Sequence, residues 1–161
     1  MFVYFSPKFG TIDIDVLSIK QYQKGDKEMK CRFRCGCGNV FNGDENTQVC
    51  SACGRPLDLQ NCGAIQLYRM GNMLGMAVGM GIYIDEQPFG HIGNKESVRL
   101  VVPYGSHKLH VTHSTNRRCN DPIITITPEA PVAFCKVHIK AGFAVNTMII
   151  EPARPEEMPP V

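Results

Sequence analysis

The sequence predicts an all-β protein in which a small cysteine-rich segment precedes an antiparallel β-sandwich of about seven strands. Three observations carry that expectation. The 161-residue chain holds 15 Gly and 11 Pro with few long helix-forming runs, which argues against a helical bundle. From Ala64 to Ile150, strand-sized apolar runs alternate with Gly, Pro and Asn punctuation. Five of the eight cysteines fall within residues 31–57. A chain that is 43% hydrophobic and 20% charged is globular rather than disordered. A formal charge of +2 supplies no global drive toward nucleic acid or an anionic membrane.

Four zones follow along the chain. Residues 1–30 open on Phe2-Val3-Tyr4-Phe5 and continue with Ile12, Ile14 and Val16 alternating against Asp13 and Asp15. This period-two signal predicts an N-terminal strand segment. Residues 31–57 are the cysteine segment, and Leu59 to Gly63 reads as a linker. Residues 64–150 carry the runs Ile65–Tyr68, Met80–Ile84, Val98–Val102, His107–Val111, Ile123–Thr127, Val132–Ile139 and Val145–Ile150. These predict the sandwich. Residues 151–161 hold Pro152, Pro155, Pro159 and Pro160, so this tail cannot be a helix or a central strand.

Met70 to Ile84 is uncharged and spaces Gly71, Gly75 and Gly79 four apart, a pattern found in packed transmembrane helices. At 15 residues it is shorter than the roughly 20 that a span needs. It is read as a Gly-rich loop entering a strand, with no membrane span. No secretory or lipidation pattern is seen, so a cytoplasmic location is expected, where cysteines persist as thiols or metal ligands.

The strongest signal is a pair of knuckles, Cys35-Gly36-Cys37-Gly38 and Cys50-Ser51-Ala52-Cys53-Gly54, with twelve residues between Cys37 and Cys50. Two close cysteine pairs joined by a hairpin can place four thiolates at the corners of a tetrahedron. Gly38 and Gly54 follow each pair where the turn tends to require positive φ. Four unrelated buried thiols are the competing reading. It is disfavoured because a segment of about 27 residues needs a staple in place of a core.

These residues resemble a zinc ribbon over about residues 31–57. The resemblance implies a structural Zn2+ held by Cys35, Cys37, Cys50 and Cys53, with no coordination position open to substrate. The first knuckle is one residue shorter than the usual Cys-x-x-Cys-Gly, and Cys31 is an alternative first ligand. Iron in a rubredoxin-like site is the alternative metal. Cys62, Cys119 and Cys135 show no ligand spacing. Cys135, within an apolar run, is expected to be a small buried hydrophobe.

The second half runs Gly79–Asp85, Gly90-His91-Ile92-Gly93-Asn94, then Val98 through Pro103, Gly105, His107 and Leu109. This order resembles PEGA-like β-sandwich modules over roughly residues 64–150. It departs from them at Glu86, where a turn glycine is usual, and at Tyr104, which separates Pro103 from Gly105. The resemblance implies a non-catalytic binding or assembly module.

His107, His110 and His113 would cluster on a helix. On a strand His110 faces away from the other two, and exposed strand histidines are the expected outcome. Asp85, Glu86 and His91 lie in or beside a predicted hairpin turn, where solvated polar residues are ordinary. No catalytic residue is assigned and no enzyme activity is expected.

The expected function is a non-enzymatic, zinc-stabilised module for protein interaction or self-assembly, its partner another protein or a second copy of the chain. The N-terminal strand or the tail would dock by strand addition. The alternative is a nucleic-acid-binding ribbon tethered to a sandwich. It rests on Lys24, Lys27, Lys30, Arg32 and Arg34, with Phe33 the one interleaved aromatic.

Overall fold

The structure, a computed structural model, describes residues 30–44, 46–73 and 76–161. The expected N-terminal strand, together with Lys24 and Lys27, lies outside the described residues. The rest is all-β, with ten strands in two sheets. They are β1 (Cys31–Arg34), β2 (Val40–Gly43), β3 (Cys62–Arg69), β4 (Met80–Ile84), β5 (Gln87–Ile92), β6 (Ser97–Pro103), β7 (Gly105–His113), β8 (Ile123–Ile126), β9 (Val132–Lys140) and β10 (Thr147–Pro152). A six-stranded sheet has the order β10-β9-β3-β6-β1-β2, and a four-stranded sheet the order β5-β4-β7-β8. Each of the seven apolar runs of the second half is a strand.

Alternation decides the core. Ile65 and Leu67 of β3, Leu100 and Val102 of β6, and Val137 of β9 point inward from the large sheet. Ile82 and Ile84 of β4 and Leu109 and Val111 of β7 meet them from the small one. Tyr83 and His110 take the opposite parity and face outward. Among the described residues no helix is long and apolar enough to cross a membrane.

The sandwich is not purely antiparallel. β3 and β9 are parallel neighbours, and so are β1 and β6. Such pairs cannot be joined by a tight turn and need a long crossover. β3 reaches β9 only after the chain has built β4 through β8. β1 and β2 form an antiparallel hairpin whose first strand adds to the edge of β6, with Cys31 opposite Arg99 and Arg32 opposite Leu100. The cysteine segment and the sandwich therefore share one sheet.

The tail lies along the large sheet. β10 continues to Pro152, a 3-10 turn spans Pro155–Glu157, and Gln66 Nε2 donates to the Pro159 carbonyl at 3.5 Å.

The β4–β5 turn is tight and strained. Asp85 and Glu86, its two central residues, have φ of +50° and +66°. A non-glycine residue in this region costs about 1–2 kcal/mol, and paired positive φ is the setting where Asp-Gly is preferred. Glu86→Gly is expected to stabilise the fold by about 0.5–1 kcal/mol after the entropy that glycine adds to the unfolded chain. The exposed Glu86–Lys108 contact that it removes is worth little. The expected gain is about 2 °C in thermal midpoint. An unchanged or lower midpoint counts against strain at this turn.

Candidate metal centre

The two knuckles are built by backbone hydrogen bonds before any sulfur is considered. Gly38 N–H donates to the Cys35 carbonyl at 2.8 Å, and Cys35 N–H to the Asn39 carbonyl at 2.9 Å. The second knuckle repeats the pattern, with Gly54 N–H on the Cys50 carbonyl and Cys50 N–H on the Arg55 carbonyl, both at 2.9 Å. Gly38 and Gly54 have φ of +91° and +67°. The space around each is open. Glycine is therefore required by backbone conformation and not by crowding.

These turns bring Cys35, Cys37, Cys50 and Cys53 together, with all four sulfurs within 4.8 Å of one another. Cys35 Sγ lies 3.7 Å from Cys53 Sγ, and Cys37 Sγ lies 3.8 Å from Cys50 Sγ. Four sulfurs about 2.3 Å from a shared tetrahedral centre are about 3.8 Å apart. The cluster has the dimensions of a four-thiolate metal centre. Cys31 is not part of it. It lies buried on β1, in register with Arg99.

Hydrogen-bond donors surround the sulfurs. The backbone N–H groups of Cys53 and Ala52 and the Asn39 amide, 3.7 Å away, donate to Cys50 Sγ. Arg55 donates to Cys53 Sγ through its backbone N–H and through Nε at 3.4 Å. Ionisation is shared unequally. The Cys53 backbone N–H, against the opposing effect of burial, leads the bonds that hold the Cys50 thiol down to about 6. Cys35 also accepts from a backbone N–H, that of Cys37, but burial and the neighbouring sulfurs push it up to about 11. Donors of this kind offset the charge that four thiolates and a divalent cation leave behind.

Asn39 and Arg55 were missed by sequence reasoning. Their signal was present, because each stands two residues after the second cysteine of its knuckle. The centre is tied to the sandwich through β1. Arg32 donates to the His91 carbonyl at 2.6 Å and to Asn42 Oδ1 at 3.0 Å, while Arg34 reaches the Pro88 carbonyl and Gln87 Oε1. Of the basic arm considered for nucleic acid, Arg32 and the aromatic Phe33 are buried, and Arg34 is bonded to β5.

The histidines are not the exposed strand residues expected from the sequence. His107 Nδ1 lies 2.7 Å from Asp85 Oδ2, and Nε2 lies 2.8 Å from the Pro103 carbonyl. Burial raises the Asp85 carboxyl, but His107 and the Lys108 backbone N–H outweigh it and bring it below its usual range. His110 Nδ1 lies 2.6 Å from Asp121 Oδ1, and His113 is half-buried at the end of β7. These pairings bring β7 onto a turn and a loop whose registers cannot be read locally. His91 stays exposed on β5 and joins no acid–base set with Asp85. Cys135 is buried in the core as expected.

Comparison of the chain with protein-family models, with curated proteins and with solved structures finds no match.

Proposed function

We propose that the chain is a non-enzymatic protein-interaction module that associates with itself, its cysteine segment fastened by a structural zinc ion. Four thiolates favour zinc, and four protein ligands leave no position for substrate. Zinc-ribbon knuckles and a PEGA-like order of turns support a module of this kind.

The observation that carries the interaction reading is the end of the sandwich where β3 and β9 finish. The parallel pairing sends both strands to the same end, and Asn72 Nδ2 reaches the Ile139 carbonyl at 3.4 Å. The loops that follow expose Met70, Met73, Met76, Val78, Phe143 and Val145, with Met73 at 88%. Exposed methionines and an aromatic on loops at the same end of the sandwich suit a protein contact.

Sedimentation of the whole chain at micromolar concentration tests the reading. Species larger than one chain are expected, shifting to monomer in the double variant Met73→Asp, Phe143→Asp. A monomer at every concentration, or association untouched by that variant, overturns self-association through this surface.

A further inference from the structure

A second group of metal-ligating side chains lies away from the four cysteines. His110, Cys119 and Asp121 each place one ligand atom within 4.8 Å of the others. His110 projects from the outer face of β7, and Cys119 and Asp121 come from the segment that leads into β8. We propose that these three residues form a second, open site for a divalent transition metal of the zinc type.

The donor set is the first argument. A thiolate, an imidazole and a carboxylate are the three ligand types that zinc takes, and three protein ligands leave a coordination position open.

The histidine is the second argument. Its Nδ1 is held by Asp121 Oδ1 at 2.6 Å, while Nε2 is buried with no hydrogen-bond partner. A cation replacing the proton that Nδ1 and Oδ1 share would take both atoms as ligands, with Cys119 Sγ as the third.

The segment that carries Cys119 and Asp121 is held in place. Asn120 donates to the Ile150 carbonyl at 2.7 Å and accepts from Ile150 N–H at 2.8 Å, and Met148 N–H donates to the Arg118 carbonyl at 2.8 Å. The segment is thereby pinned to β10. Cys119 Sγ accepts the backbone N–H groups of Asp121 and Val111 and is hydrogen-bonded to the Asp121 carboxylate. Asp121 is held at φ +46°, a conformation that surrounding bonds must maintain. The ligands are preorganised and not carried on a free loop.

Lys108 Nζ lies 3.5 Å from Asp121 Oδ2. A cation there would displace it, and its half-exposed side chain has room to move into solvent.

The test is a titration of zinc into the full chain that already carries its tightly held metal, followed by native mass spectrometry and by the thermal midpoint. A second zinc equivalent that raises the midpoint is expected. Its affinity should fall at least tenfold in His110→Gln and in Cys119→Ser, and remain unchanged in Cys135→Ala. The near-isosteric Gln and Ser replacements limit damage to the fold, and the midpoint without added zinc shows whether each variant is folded. No second equivalent in the wild-type chain, or less than a tenfold loss in either folded variant, overturns the proposal. Because the first equivalent is counted in the same spectrum, the outcome is read independently of the four-cysteine centre.

Discussion

Removing the proposed zinc from the four-cysteine centre, by chelation or by Cys50→Ser, is expected to unfold residues 31–57 and weaken the sandwich beyond them. Zinc bound by four thiolates contributes on the order of 10 kcal/mol to folding, and so short a segment has no core to replace it. The damage spreads because β1 is a strand of the large sheet, paired with β6. Its release uncovers buried Phe33 and removes the Arg32 bond to the His91 carbonyl. Losing that cover costs about 3–5 kcal/mol, which corresponds to a fall of about 10 °C in thermal midpoint. Hydrogen exchange should show amide protection lost across β1 and β2 and retained in β3, β9 and β10. A chelated chain with an unchanged midpoint and protected β1 amides would falsify the structural role of the metal.

The second large effect is expected at Arg69. This residue ends β3, is almost fully buried, and donates from Nη1 to the Val78 carbonyl at 2.7 Å and the Ile92 carbonyl at 3.3 Å. Burial lowers its pKa. The side chain crosses from the large sheet to the entry of β4 and the end of β5, so it joins the two layers. Arg69→Ala strands two carbonyls at about 1–3 kcal/mol each and leaves a cavity. A loss of about 4 kcal/mol is expected in urea unfolding. Arg69→Met refills most of the volume but none of the hydrogen bonds, and should recover about 1–2 kcal/mol of that loss. Equal stability of Arg69→Ala and wild type would show that the arginine is not a tie between the layers.

Arg69 also shows how far local reading reaches. In the sequence it closes an uncharged stretch and reads as a boundary. In the fold it is among the most deeply buried side chains. A charged residue at a strand end has a solvated look until the neighbouring carbonyls are known, and those come from 9 and 23 residues away. Asp85 and Glu86 were legible as a turn, because turn chemistry is local, although only the backbone reveals that both have positive φ. The knuckles were legible for the same reason. Their hydrogen bonds close within five residues, and glycine marks the conformation each turn needs. Cys119 and Asp121 are close in sequence, yet nothing local brings His110 to them. That contact depends on β7 keeping its outward parity while the next segment folds back along it.

The sequence by itself determined the elements: the seven apolar strands of the second half, their inward and outward faces, the two cysteine knuckles, and a Pro-rich tail that is no central strand, entering the sheet only as the end of edge strand β10. Those features follow from alternation, from the conformational limits of Gly and Pro, and from spacing along a short stretch of chain. Only the tertiary structure decided the partners. It placed β9 parallel to β3, added β1 to β6 so that the cysteine segment and the sandwich share a sheet, and paired His107 with Asp85 and His110 with Asp121. Pairing joins residues far apart in the chain. Its free energy comes from burying the faces of two whole sheets against each other, and no local run of residues records that sum.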